Sequence, residues 1–402
     1  MQSLVILGRQ PALGLAELES LYGPASLQKF SSYAALLDMP VGQINFDRLG
    51  GSTRLCKVLS KVPNDWTGIR NYLLAHMPEH AASLPDGKLT FGISLFGVKV
   101  HVKELERGLL EMKKVIKRSG RPVRLVPNKQ LELNSAQVIH NKLTDPGNWE
   151  LVVVSDGRET YLTQTVRIQD IEKYAARDQA RPMRDAKVGM LPPKLAQIII
   201  NLATGPLVPP SPAQPDGDGV LTGPVLDPFC GTGVVLQEAT LMGYDSFGTD
   251  LEPRMVEYSI ANLHWLRQKW DEADTNVRIE LGDATTHKWK QPIGAVAGET
   301  YLGNPYASLP PRDVLQKNIR YVDDLHRKFL RNIHKQLTSG THLCLAVPAW
   351  STRQGFLHLP VLDQLKELGY NETKFVHAGK AELVYHRENQ VVARELVVIT
   401  KE

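Results

Sequence analysis

From Pro224 onward the chain alternates short apolar runs with amphipathic ones. The pattern predicts a strand ending over Pro224–Leu226, a helix over Val234–Met242 closed by Gly243, and a strand over Ser246–Thr249. A helix over Glu252–Leu266 and strands over Val277–Leu281 and Ile293–Ala297 follow. Leu315, Ile319, Val322, Leu325, Phe329, Ile333 and Leu337 then recur on one face of a long helix, with Gly340 as its stop. A strand over His342–Val347, a helix over Leu359–Leu368 and strands around Leu383–Tyr385 and Val391–Thr400 complete the series. Such alternation predicts an α/β fold, a doubly wound and mostly parallel sheet with helices on both faces, closed by a C-terminal β-hairpin at one edge.

Before that region the alternation is lost, and residues 1–85 and 86–175 read as small α+β units ahead of a domain over 181–402. Thr204–Pro224 holds ten Pro or Gly in 21 residues, so it reads as an exposed loop inserted in the last domain. At 402 residues the chain is too long for one typical core. The start MQSLVILGRQ lacks a basic n-region, and Gln197 and Asn201 interrupt the apolar run Leu195–Ala203, so neither secretion nor a membrane span is expected. Cys56, Cys230 and Cys344 lie far apart, without metal-ligand spacing, which fits a reducing cytosol. Net charge is +4 but uneven: residues 1–190 carry 26 Lys+Arg against 19 Asp+Glu, residues 191–402 carry 21 against 24. The N-terminal half is therefore the part expected to meet a polyanion.

The first strand-to-helix turn, LDPFCGTGVVL, places Gly231 and Gly233 where backbone amides can approach a ligand. Leu236 stands where a dinucleotide-binding turn would want a third glycine. Three acids follow three successive strands. Asp227 can accept from a ligand ammonium, Asp250 from both ribose hydroxyls, and Asp283 from an adenine amine. Pro228, Phe229, Leu251 and Ala284 flank these acids and are counted in the same site. A ligand with an amino-acid part, a ribose and an adenine is S-adenosylmethionine, whereas Asp227 would repel the diphosphate of NAD. The bland alternative is that the acids are only helix caps and turn formers.

DPFCGTG, GTDLEP and GDAT resemble the first three motifs of Rossmann-fold RNA methyltransferases. RPMRDAKVGMLPPKLAQIIINLA (Arg181–Ala203) and the tail YHRENQVVARELVVITK are similar to the entry helix and closing strand pair of the tRNA guanine-N2 methyltransferases. LVILGRQPALGLAELESLYG resembles that family's N-terminal ferredoxin-like unit, and LNSAQVIHNKL its THUMP domain. The resemblance implies a ferredoxin-like domain over 1–85, a THUMP-like RNA-binding domain over 86–175 and a Rossmann-fold methyltransferase domain over 181–402. It also implies tRNA as partner, guanosine 10 as acceptor, and a monomer unless a small activating subunit is required.

Residues 112–131 carry Lys113, Lys114, Lys117, Arg118, Arg121, Arg124 and Lys129 and no acid. Alone, this run is as compatible with a solvated helix face as with phosphate binding; within a THUMP-like domain the first six are expected to contact RNA.

The family's catalytic motif is an Asp or Asn, two prolines and an aromatic at the end of the fourth strand. The acid and a carbonyl accept from the amine, and the aromatic stacks on the base. Two frames fit here. In one, Glu299-Thr300-Tyr301-Leu302 occupies the motif, two residues past the apolar strand and 16 beyond Asp283. In the other, Asn304-Pro305-Tyr306 does, 21 residues beyond Asp283. Strand geometry favours the first, with Glu299 accepting from the amine and Tyr301 stacking, while Asn304 and Tyr306 line the pocket from a longer loop. The stiffening prolines are missing. Three other readings stay open: an inert RNA-binding homologue, a methyltransferase of rRNA or DNA, and a nicotinamide oxidoreductase.

Overall fold

A computed structural model describes residues 2–185, 190–205, 223–270, 275–290, 292–388 and 390–402. The expected loop over 204–224 lies almost wholly outside them. The contacts divide the chain into two compact units.

The first unit comprises Met1–Pro11, Ala25–Asp47 and Gly51–Lys173. One eight-stranded sheet runs through it, so residues 1–85 and 86–168 share a single sheet. Leu89–Phe96 pairs in parallel with Trp149–Ser155 and Val123–Leu125, and the remaining neighbours are antiparallel. Helix Val102–Arg118 lays Leu105, Leu109, Met112 and Ile116 against Phe91, Ile93 and Trp149, which is why Lys114, Lys117 and Arg118 face outward. Each fully buried side chain of this kind contributes about 1.5–3 kcal/mol.

The second unit comprises Ala12–Pro24, Arg48–Gly50 and Tyr174–Glu402. Its sheet is built from β1 (Val225–Asp227), β2 (Ser246–Asp250), β3 (Val277–Leu281), β4 (Ala295–Glu299), β5 (His342–Thr352), β6 (Tyr370–Glu372) and β7 (Val392–Lys401). The order is β3-β2-β1-β4-β5-β7-β6, with the first five parallel and β7 antiparallel to both neighbours. The order reverses beside β1, so a crevice opens at the carboxyl ends of β1 and β4. Helices α1 (Pro193–Thr204), α2 (Val234–Leu241), α3 (Pro253–Trp270) and α4 (Arg312–His334) cover the sheet. Along α4, Leu315, Val322, Phe329 and Ile333 are buried as the periodicity requires. Among the described residues no helix is long and apolar enough to cross a membrane.

Three details differ from expectation. The fourth strand runs over Ala295–Glu299 because its ladder with β5 continues to Glu299↔Ala346, so Glu299 is the strand's last residue. Leu359–Leu368 forms a short 3₁₀ turn over Pro360–Gln364 instead of a helix. Val361 N donates to Asp323 Oδ1 of α4 (2.6 Å), and Gly369 turns the chain at φ 84°. Val384–Tyr385 does pair with β7, but β7 is interior, flanked by β5 and β6.

Candidate functional site

The turn after β1 is held by its own neighbourhood. Cys230 N donates to Thr249 O (2.9 Å) and Gly233 N to Cys230 O (2.7 Å). Ser259 of α3 donates to Gly231 O (2.7 Å). Gly233 has φ +80°, and a Cβ there would stand 2.9 Å from Ser259 Oγ, so glycine is required twice over. Leu236 fits because Gly248 of β2 makes the room; a Cβ on Gly248 would lie 2.5 Å from the Leu236 methyl.

The acids occupy the ends of these strands. Asp227 is 2% exposed and accepts from Phe229 N (3.2 Å). Burial, then the charges of Asp250 and Glu299, push its carboxyl well above the usual carboxylate range. Asp250 accepts from Gly231 N (2.8 Å) and Glu252 N (3.0 Å); burial raises its carboxyl and these two amides oppose the rise. Asp283 Oδ1 accepts from Thr285 N (2.9 Å) and Thr285 Oγ1 (2.8 Å). Three of the flanking positions serve differently. The Phe229 ring is half-buried and packs edge-on against Phe329 at 5.0 Å. Ala284 is buried, its carbonyl taken by Asn332, and Pro228 O accepts from Thr249 Oγ1. Leu251 stands 64% exposed after Asp250.

Glu299 is fixed from far away in sequence. Arg394 of β7 forks onto it, Nε to Oε1 at 2.8 Å and Nη2 to Oε2 at 3.2 Å, both side chains nearly buried. The preceding Gly298 is needed because a Cβ there would lie 2.5 Å from Asp227 Oδ1. The loop that follows lacks prolines but is tied down by α4. Thr300 N donates to Ala346 O (3.0 Å), and Thr300 Oγ1 meets His326 Nε2 at 2.6 Å. His326 Nδ1 lies 2.7 Å from Val322 O, an arrangement that assigns the proton to Nδ1 and leaves Nε2 to accept. Burial pushes the imidazole down to about 4. Gly303 (φ +81°) passes so close to α4 that a Cβ would be 2.8 Å from Asn318 Nδ2. Asn304 is exposed, Tyr306 packs half-buried against the core, and Tyr301 is 40% exposed with its ring 6.3 Å from that of Tyr321.

Arg394, His326 and Gly298 escape a reading of the sequence, and Thr300, although inside the first frame, has no role assigned by it. The available signal for Arg394 was a charged pair, Arg394-Glu395, inside an otherwise apolar strand. In the first unit, Lys113 is half-buried, Lys114, Lys117 and Arg118 are exposed, and Arg124 donates to Asn141 Oδ1 at 3.0 Å. Arg121 directs its guanidinium at the carbonyls of Ala81 and Pro85, where helix Trp66–Ala82 ends, which is a structural use.

The sheet order and the crevice at the carboxyl ends of β1 and β4 are those of a Rossmann-type fold, and the chain is similar to known proteins. The chain is 29% identical over 174 residues to the tRNA (guanine(10)-N2)-dimethyltransferase of Methanothermobacter thermautotrophicus, covering 42% of this chain and 43% of that one. Over that stretch the chain is similar to enzymes of this name. The enzyme of the same name from Pyrococcus abyssi is 29% identical over 159 residues, 40% of this chain and 39% of that one. Less than half the length of either curated relative is thus matched. TrmN from Thermus thermophilus shares the fold, with a TM-score of 0.51, 17% identity and full coverage of both chains. No family model matches the chain.

Proposed function

We propose that this chain is an S-adenosylmethionine-dependent tRNA methyltransferase that modifies the exocyclic N2 of a guanosine, guanosine 10 by kinship with the two archaeal relatives. The observation that carries the reading is the set of carboxylates at the ends of β1, β2 and β4 around a glycine turn. Asp227, buried beside Asp250 and Glu299 and pushed toward its neutral form, regains a favourable charge opposite a cation, so the site suits a cationic ligand. Asp227 would face the amino-acid part, Asp250 the ribose and Asp283 the adenine.

When bound, S-adenosylmethionine supplies an electrophilic methyl group on a sulfonium. The residues of this chain then have to orient an amine toward it. Glu299 accepts from the N2 amine through the lone pairs that Arg394 leaves free, and the guanidinium fork fixes the plane of the carboxylate. Tyr301 stacks on the base. Thr300 and His326 stiffen the loop that follows Glu299. The first unit binds tRNA through Lys114, Lys117 and Arg118, with the protein working in the cytoplasm.

The engagement of both Glu299 oxygens by Arg394 favours one competitor, an RNA-binding homologue that transfers nothing. Incubating the chain with methyl-labelled cofactor and bulk tRNA separates them. The reading expects label in N2-methylated guanosine; tight tRNA binding without label would leave the competitor.

A further inference from the structure

We propose that Tyr321 on α4, with Tyr301, forms a stacking platform for a single-stranded RNA segment flanking the acceptor nucleotide; this deepens the reading given under Proposed function and rests on it. Tyr321 is 63% exposed, although it lies on a helix whose opposite face is buried. Its ring stands perpendicular to that of Tyr301, which leaves the end of β4 only two residues after Glu299. Val314, two helical turns before Tyr321 on the same face, is 42% exposed and extends the apolar surface.

The charges beside the rings favour a polyanion. Lys317, one turn before Tyr321, and Arg320, next to it, are exposed and have no ion pair among the described residues. The acids further along are taken: Asp323 by Arg327 at 3.1 Å and Asp324 by Lys328 at 2.7 Å. Lys317 and Arg320 therefore stand as exposed cations without an ion pair among the described residues on this stretch of α4, in a half of the chain that is acidic on balance. Aromatic faces flanked by cations bind single-stranded nucleic acid without base readout. A protein seated permanently on Tyr301 would cover the place where the acceptor base must enter. An RNA segment entering with that base would not, and it is the occupant argued for here.

The test is equilibrium binding, without cofactor, of the full chain to an unmodified tRNA transcript and to a single-stranded RNA of about 12 nucleotides. Tyr321→Ala is expected to weaken both by about tenfold, and Tyr321→Phe to bind as the unsubstituted chain does. Lys317→Ala should lower the salt slope by about one. An unchanged thermal midpoint is expected for all three, since these side chains are exposed. Wild-type binding by Tyr321→Ala, equal losses for the Phe and Ala variants, or no binding of either RNA by the unsubstituted chain would overturn the proposal. So would loss of a co-purifying protein from Tyr321→Ala with RNA binding intact. Tyr321-dependent binding with no methyl transfer would defeat the methyltransferase reading and leave the platform standing.

Discussion

The two strand ends that make the crevice are built on different principles. At the end of β1 the chain organises itself from nearby residues: Gly231 and Gly233 make the turn, and Asp250 and Ser259, within 30 positions, hold it. At the end of β4, Glu299 is held by Arg394, 95 positions away, and the loop by His326 on α4. The glycine turn is thus built locally, whereas the loop after β4 borrows its rigidity from the rest of the domain.

Removing the borrowed support should have the largest effect. Arg394→Met leaves Glu299 nearly buried and unpaired next to Asp227, at a cost of about 3–5 kcal/mol in urea unfolding. Adding Glu299→Gln should restore much of that loss, and a double variant no more stable than Arg394→Met would show that the pair is not coupled.

The second effect is acid sensitivity. An unfolded imidazole takes its proton near 6.5 and folded His326 only near 4. Between these values the unfolded chain binds more protons, so stability falls as pH falls from 6.5 toward 4. The contribution is about 3 kcal/mol, fully present above 6.5. Unfolding curves of His326→Gln should lose that part of the slope; an unchanged slope would show that His326 is not the group behind it.

The local end should respond in binding more than in stability. Asp250→Ala is expected to weaken S-adenosylhomocysteine by roughly 10- to 100-fold in calorimetry. Unchanged affinity would reduce Asp250 to a cap for Gly231 and Glu252.

The same contrast explains what the sequence made legible. The glycine turn, the strands that end at Asp227 and Asp250 and the long helix α4 are local patterns, and these lie where the pattern indicates. Glu299 is legible from its place just past the apolar run Ile293–Ala297, yet the strand's reach to it depends on the ladder with β5, and the Arg394 clamp on a pairing set by β7. The missed Leu359–Leu368 helix has the same cause. Its apolar spacing suits a helix, but Asp323 takes the Val361 amide and packing against α4 decides the conformation. The packing of the half-buried Phe229 ring on Phe329 is likewise a matter of what α4 places opposite it.

The account turns on Glu299 as the residue that orients the amine, and single-turnover methyl transfer to tRNA by Glu299→Gln and Asn304→Ala tests this directly. The account predicts a roughly 100-fold lower rate for Glu299→Gln at unchanged tRNA affinity, and a near-normal rate for Asn304→Ala. A silent Glu299→Gln beside a crippled Asn304→Ala would contradict it.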